Sequence, residues 1–184
     1  MKNIPILIGQ RVLLTPFTDK DVFTYYNWLK GNPNLARKYG ELTDISMEEL
    51  ISDQQRLSKN EQMIDYLIVD REKNRAIGEI YLKLPDGTEN HNYVRISDGI
   101  IIMVRPEFGI LLGEKKYSNK NYGAESIRLL FDYAKNAYTL DHIYARVYTF
   151  NIGSQRFLKR LEFENQGLIK DSSNEVCYLF RKMI

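Results

Sequence analysis

Cysteine and histidine are almost absent from this sequence: one Cys and two His in 184 residues. The lone Cys177 excludes an intrachain disulfide, and with two distant histidines it leaves no plausible zinc cluster, so no metal is expected. Cys177 lies in an apolar, strand-like run, where a small buried hydrophobe is a better reading than a nucleophile. Net charge is also scarce. Lys and Arg total 26 against 24 Asp and Glu, for a formal charge of +2, and they are spread along the chain. That argues against a polyanion-binding face and so against a nucleic-acid partner. Long hydrophobic runs are missing too. Nothing approaches the ~20 apolar residues of a membrane span. The run Ile4-Pro5-Ile6-Leu7-Ile8 is too short for the core of a signal peptide and leads straight into strand-like sequence. The expected setting is therefore cytoplasmic, without a membrane partner.

What is present is the balance of a soluble globular protein, 43% apolar and 27% charged. The length fits one domain covering residues 1–184. Arg11 to Thr15 reads as a strand stopped by Pro16. Thr18-Asp19 caps a helix through Lys30, broken by Gly31-Asn32-Pro33. Ser46, three residues before Glu49, is a capping-box signature for a helix to about Lys59. Met63–Asp70 and Ala76–Leu84 form a hairpin across a polar turn, and Pro85–Asn92 reads as a loop. Ile100–Val104 and Phe108–Leu112 are short buried strands.

The clearest helix runs from Asn121 to Tyr138. Ile127, Leu130, Phe131 and Ala134 share one face, with Glu125, Arg128, Asp132 and Lys135 on the other. Ile143–Phe150 is a strand, Ser154–Leu161 a short helix, and Phe163–Ile169 with Glu175–Met183 a closing hairpin around Asp171 to Asn174. Strands and helices alternate in the order β-α-α-β-β-(β)-β-α-β-α-β-β. The expected class is a mixed α/β (α+β) sheet with helices packed on it.

The informative stretch is strand, polar loop, helix, from Pro106 to Glu125. A loop ending at a helix start points several backbone N–H groups outward, and with the helix dipole these suit a diphosphate. Asn119, Asn121 and Gly123 tolerate left-handed backbone. Lys115, Lys116 and Lys120 add positive charge. An ordinary solvated, lysine-bearing loop has the same composition.

Three blocks sharpen that reading. Pro106-Glu107-Phe108-Gly109-Ile110 is similar to an Ala-Glu-Ile-Gly strand. Tyr117-Ser118-Asn119-Lys120-Asn121-Tyr122-Gly123-Ala124-Glu125 is similar to a Tyr-Trp-Gly-Lys-Gly-Tyr-Gly-Thr-Glu loop. Asn151-Ile152-Gly153-Ser154-Gln155-Arg156-Phe157-Leu158, with Phe163, is similar to an Asn-x-x-Ser-x-Arg-x-Leu motif ending in Gly-Phe. In this order they resemble the GNAT superfamily of N-acetyltransferases, in its RimJ/RimL-like branch, over nearly the whole chain. The resemblance implies a mixed, mostly antiparallel central sheet with about four helices, splayed between the fourth and fifth core strands.

It also implies acetyl-CoA as cosubstrate. Lys116, Tyr117, Ser118, Asn119, Lys120, Asn121, Tyr122, Gly123 and Ala124 would hold the coenzyme diphosphate. Leu111 and Leu112 would border the pantetheine and supply an oxyanion donor. Asn151 would meet the pantetheine arm, or would only cap the helix that follows it. Glu107 is the candidate base at the mouth of the splay, or a rim carboxylate that attracts cations. Ser154 would serve the leaving thiolate, or cap a helix start.

The implied reaction is direct attack of a primary amine on the thioester. A lysine-like amine, with a pKa near 10.4, needs a base more than an α-amine near 7.8 does. Candidate acceptors are a protein N-terminus, an amino sugar, a polyamine or an aminoglycoside, and the expected assembly is a monomer or homodimer. The loop departs from the family's glycine pattern, no tyrosine stands where many members have a general acid (Leu158 does), and Glu162 replaces the glycine before Phe163. These departures leave a non-catalytic coenzyme A-binding module as the rival. Trp28, Tyr25 and Tyr26 fit helix packing better than an acceptor pocket, and His142 fits a structural role.

Overall fold

The computed structural model describes residues 4–40, 45–85, 93–97, 100–171 and 173–184. In chain order the elements are β1 (Leu7–Ile8), β2 (Val12–Pro16), a 3-10 turn (Asp19–Asp21), α1 (Val22–Lys30), α2 (Pro33–Tyr39), α3 (Met47–Ser58), β3 (Met63–Asp70) and β4 (Arg75–Lys83). They continue with β5 (Tyr93–Ser97), β6 (Ile100–Arg105), β7 (Glu107–Leu112), a second 3-10 turn (Lys115–Tyr117) and α4 (Tyr122–Tyr138). Last come β8 (His142–Tyr148), α5 (Ile152–Arg160), β9 (Glu164–Lys170) and β10 (Val176–Met183). The result is the mixed α/β architecture expected, with mostly antiparallel strand pairs.

Two compact units make up the chain, residues 1–82 with 110–133 and residues 83–109 with 134–184. In the first, the strands lie in the order β1-β2-β3-β4-β7. Its core forms because β3 is apolar at nearly every position and buried throughout. Leu67 and Val69 pack with Val22, Tyr25, Trp28, Leu29, Ala36 and Leu50. Gly78 admits no side chain, since a Cβ there would meet the carbonyl oxygen of Leu111 well inside contact distance.

In the second unit the order is β7-β8-β10-β9-β6-β5. β7 and β8 run parallel, paired at Glu107 opposite Tyr144, as strands joined through a helix must. The pairing sits at the first residue of β7. β8 and β10 are antiparallel from Tyr148–Cys177 to His142–Met183. Cys177 is buried, and burial pushes its thiol up to about 11.

Several expectations need correction. The helix expected from Thr18 begins as a 3-10 turn and becomes α-helical only at Val22. Asn32-Pro33 does more than break α1. Asn32 accepts from the Leu35 N–H at 3.1 Å and Pro33 opens α2, so the described residues form five α-helices where about four were expected. The Ser46–Glu49 capping box is formed as read, with bonds of 3.1 and 2.7 Å. Most of the Pro85–Asn92 loop lies outside the described residues, and β5 follows it where no strand was expected. Glu125, placed on the outer face of α4, is buried.

The turn after α5 carries a cost. Glu162, in the position of the family's glycine, has φ 62°, the left-handed region in which a Cβ crowds the next carbonyl. Glu162→Gly is therefore expected to raise stability by about 1 kcal/mol, or roughly 2–4 °C in Tm, in thermal unfolding. A lower Tm would mean that the Glu162–Lys182 ion pair, at 3.5 Å, outweighs the backbone strain.

Candidate functional site

In the first unit the polar loop between β7 and α4 is held from below. After the turn Lys115–Tyr117, Asn119 and Asn121 both take left-handed backbone, at φ 58° and 71°, on either side of Lys120. Asparagine thus supplies the conformation that glycine gives elsewhere. Alternating left- and right-handed residues turn successive N–H groups to one side, a concavity suited to an anion, at the start of a 17-residue helix. Lys116, Ser118, Asn119, Lys120 and Asn121 are exposed.

Groups from neighbouring strands and from α4 brace the loop. The Arg11 side chain donates to the Lys120 carbonyl at 2.6 Å and lies 4.2 Å over the Tyr122 ring. The Arg11 N–H donates to Glu125 Oε1 at 2.9 Å, which explains the burial of Glu125. Tyr122 donates its hydroxyl to Asp70 Oδ2 at 3.2 Å and meets Tyr117 edge to face at 5.2 Å. Asp70 is buried, and burial alone would push its carboxyl up. Donors from the Lys73 backbone and ammonium and from Tyr122 outweigh that and hold it below the usual carboxylate value. Tyr117 and Tyr122 therefore support the loop from the inside. Leu111 likewise belongs to the hydrophobic core, while Leu112 is half-buried.

The second unit holds the other candidates. Glu107 is only 3% exposed. Arg146 on β8 donates to it twice, Nε to Oε1 at 2.6 Å and a terminal nitrogen to Oε2 at 3.0 Å, and Lys83 Nζ stands 4.0 Å from Oε2. Glu107 is therefore a buried carboxylate paired with Arg146, where an exposed position at a rim was one expectation. Asn151 caps α5, accepting from the Ser154 N–H at 3.3 Å. Ser154 lies half-buried in the first turn of α5. Gln155 ties that helix to the end of β8 through the carbonyls of Tyr148 and Thr149, at 3.2 and 2.8 Å. His142 pairs with Asp141 at 3.0 Å, as a structural residue would.

The family model for the acetyltransferase (GNAT) domain matches residues 11–164. The chain belongs to the GNAT acetyltransferase family. It is an acyltransferase by that membership. Among relatives, an uncharacterized N-acetyltransferase p20 from Bacillus licheniformis is 31% identical over 157 residues, covering 83% of this chain and 78% of its own. The α/β-tubulin-N-acetyltransferase 9 of Mus musculus is 22% identical over 89% of this chain, which spans 66% of the mouse protein's length. The solved structure of RimL, a ribosomal L7/L12 α-N-protein acetyltransferase in complex with coenzyme A, superposes with a TM-score of 0.73 at 13% identity over 98% of each chain, a likeness of fold.

The motif blocks thus locate the family's loop in this GNAT acetyltransferase but not the residues that brace it. Arg11, Asp70 and Arg146 went unnoticed because each acts across a long sequence separation. Asp65, Asp70 and Glu79 had one visible signal, an acid inside an apolar strand run. Among the described residues no group of three or more His, Cys, Asp or Glu is placed to hold a metal ion.

Glu107→Gln is expected to cost about 2 kcal/mol, since it leaves Arg146 facing a neutral amide, with partial relief because Arg146 stays in touch with water. Thermal unfolding should show a drop of roughly 4–8 °C. An unchanged Tm would show that the Glu107–Arg146 pair does not contribute to stability.

Proposed function

We propose that this chain transfers the acetyl group of acetyl-CoA to a primary amine by direct attack of the neutral amine on the thioester, as in the RimJ/RimL-like branch. The observation that carries the reading is the pair of left-handed asparagines around Lys120 at the start of α4. The family resemblance assigns the coenzyme diphosphate to this loop, and the residues present fit it. Asn119, Lys120, Asn121 and Gly123 offer backbone N–H groups, Lys116 and Lys120 offer charge, and Arg11 and Asp70 keep the loop in shape, while the Ser118 N–H is held by the Lys115 carbonyl at 3.0 Å. The cosubstrate supplies the activated acyl group and a thiolate leaving group. Ser154 serves that thiolate as a hydrogen-bond donor and Asn151 meets the pantetheine arm, while Glu107 fixes the direction of Arg146.

Coenzyme A should therefore stabilise the native chain. At about 100 times its dissociation constant the gain is roughly 2.7 kcal/mol, or about 5–10 °C. Lys120→Ala should reduce the shift without removing it, because backbone groups do most of the holding. Asn119→Gly should preserve it, whereas Asn119→Val, which resists positive φ, should abolish it. Absence of any shift at millimolar coenzyme A, in a folded sample, overturns the assignment. Release of free thiol from acetyl-CoA across an amine panel then separates turnover from coenzyme binding without catalysis.

A further inference from the structure

Two buried acids of the first unit have no part in the account above. Asp65 on β3 and Glu79 on β4 are 8% and 7% exposed. The Tyr39 hydroxyl, from the last residue of α2, donates to Glu79 Oε2 at 2.8 Å. Both carboxylate oxygens of Asp65 are cut off from water, and neither has a hydrogen bond of ordinary geometry; the Tyr66 backbone and the Glu79 side chain stand near them. A buried charge in that condition is costly, so the pair takes up a proton. Burial pushes the Asp65 carboxyl up to about 7, against opposing pulls from the Glu79 side chain and the Tyr66 backbone, and Asp21 adds to the rise. With one proton between them Asp65 and Glu79 bond to each other, and they titrate as a unit.

Among the groups around this pair, Asp21 from the first 3-10 turn acts on Asp65, Tyr39 from α2 on Glu79, and Tyr25 from α1 and Tyr81 from β4 on Tyr39. Burial, then the charge of Glu79, pushes the Tyr39 hydroxyl well above its ordinary value, so it remains a donor. Tyr39 meets Tyr81 at 6.1 Å and Tyr25 meets Phe17 at 6.0 Å, both edge to face.

We propose that the Asp65–Glu79 pair, walled by Tyr25, Tyr39 and Tyr81, receives the ammonium group of the acceptor as an alkylammonium ion. The inference rests on the amine-acetylation reading and names the acceptor's charge state and its receiving residues. The chemistry is selective. Unsatisfied carboxylate oxygens accept the N–H groups of an ammonium, and tyrosine faces attract an organic cation. A divalent metal would demand more oxygen ligands than two acids and phenols provide. Binding is an exchange that balances: an alkylammonium enters, the O–H proton shared by Asp65 and Glu79 leaves to water, and the pair becomes doubly ionised. No other bond breaks. Affinity therefore rises as pH passes upward through about 7, the midpoint of Asp65.

The same proton sets a stability trend with a definite sign. The folded Asp65 value is above its unfolded value of 3.8, so the contribution is complete below pH ~4 and is lost as pH rises through about 7. Asp65→Asn should flatten that loss.

The test uses the full, coenzyme-free chain carrying 13C-labelled aspartate carboxyls, titrated by NMR in 100 mM sodium chloride or 100 mM n-butylammonium chloride. The Asp65 resonance is the one missing from Asp65→Asn. In sodium chloride it should titrate near pH 7. In n-butylammonium its midpoint should fall by at least one unit, a tenfold preference for the ionised pair, while 1-butanol should leave it in place. Glu79→Gln should remove the response. An equal midpoint in the two salts overturns the proposal, and so does an equal fall in tetramethylammonium, which has no N–H to donate. A missing coenzyme A stabilisation would count against acetyl transfer and leave this titration standing, so the two failures are distinguishable.

Discussion

A carboxylate taken out of water has to be met by a cation, by a set of N–H or O–H donors, or by a proton. This chain buries six acids among its described residues, and much of its organisation follows from how each is met. Glu107 is met by a guanidinium from the neighbouring strand. Asp70 is met by Lys73 and a tyrosine, Glu125 by the Arg11 backbone. Asp171 takes the N–H groups of Ser173 and Glu175 and the Tyr148 hydroxyl, closing the turn before β10. Glu79 has Tyr39. Asp65 lacks a well-formed hydrogen bond and falls back on its acidic neighbour.

The same rule explains how an exposed loop keeps a defined shape. Its outward residues make few contacts of their own, and two of them occupy a backbone region that most residues avoid. The bracing comes from side chains below, where Tyr122 joins buried Asp70 and Tyr117 and the exposed Arg11. Asp70 ends β3 and Arg11 precedes β2, so the rigidity of those strands passes to the loop. A cradle ordered before its ligand arrives loses less entropy on binding.

Local signals in the sequence were legible wherever they were short in range. The Ser46–Glu49 box, the α4 periodicity and the left-handed tendency of Asn119 and Asn121 all reside in consecutive residues. Signals with two meanings were read one way. Asn32-Pro33 stops one helix and starts another, and the periodicity that put Glu125 outside could not register the Arg11 backbone waiting for it. Pairings such as Glu107 with Arg146 are 39 residues apart in sequence and depend on strand order. The motif blocks found Glu107 and Asn151 without revealing that one is gripped by an arginine and the other caps a helix.

The seclusion of Cys177 has a practical side. With burial holding its thiol at about 11, only about one molecule in a thousand carries the thiolate at pH 8. The side chain is 1% exposed, so reagents have almost no approach to it either. Because it is the single cysteine of the chain, the folded protein is nearly silent toward disulfide-exchange dyes. Colour that develops in a reaction mixture then reports the coenzyme, and a slow rise without acceptor becomes a gauge of unfolding.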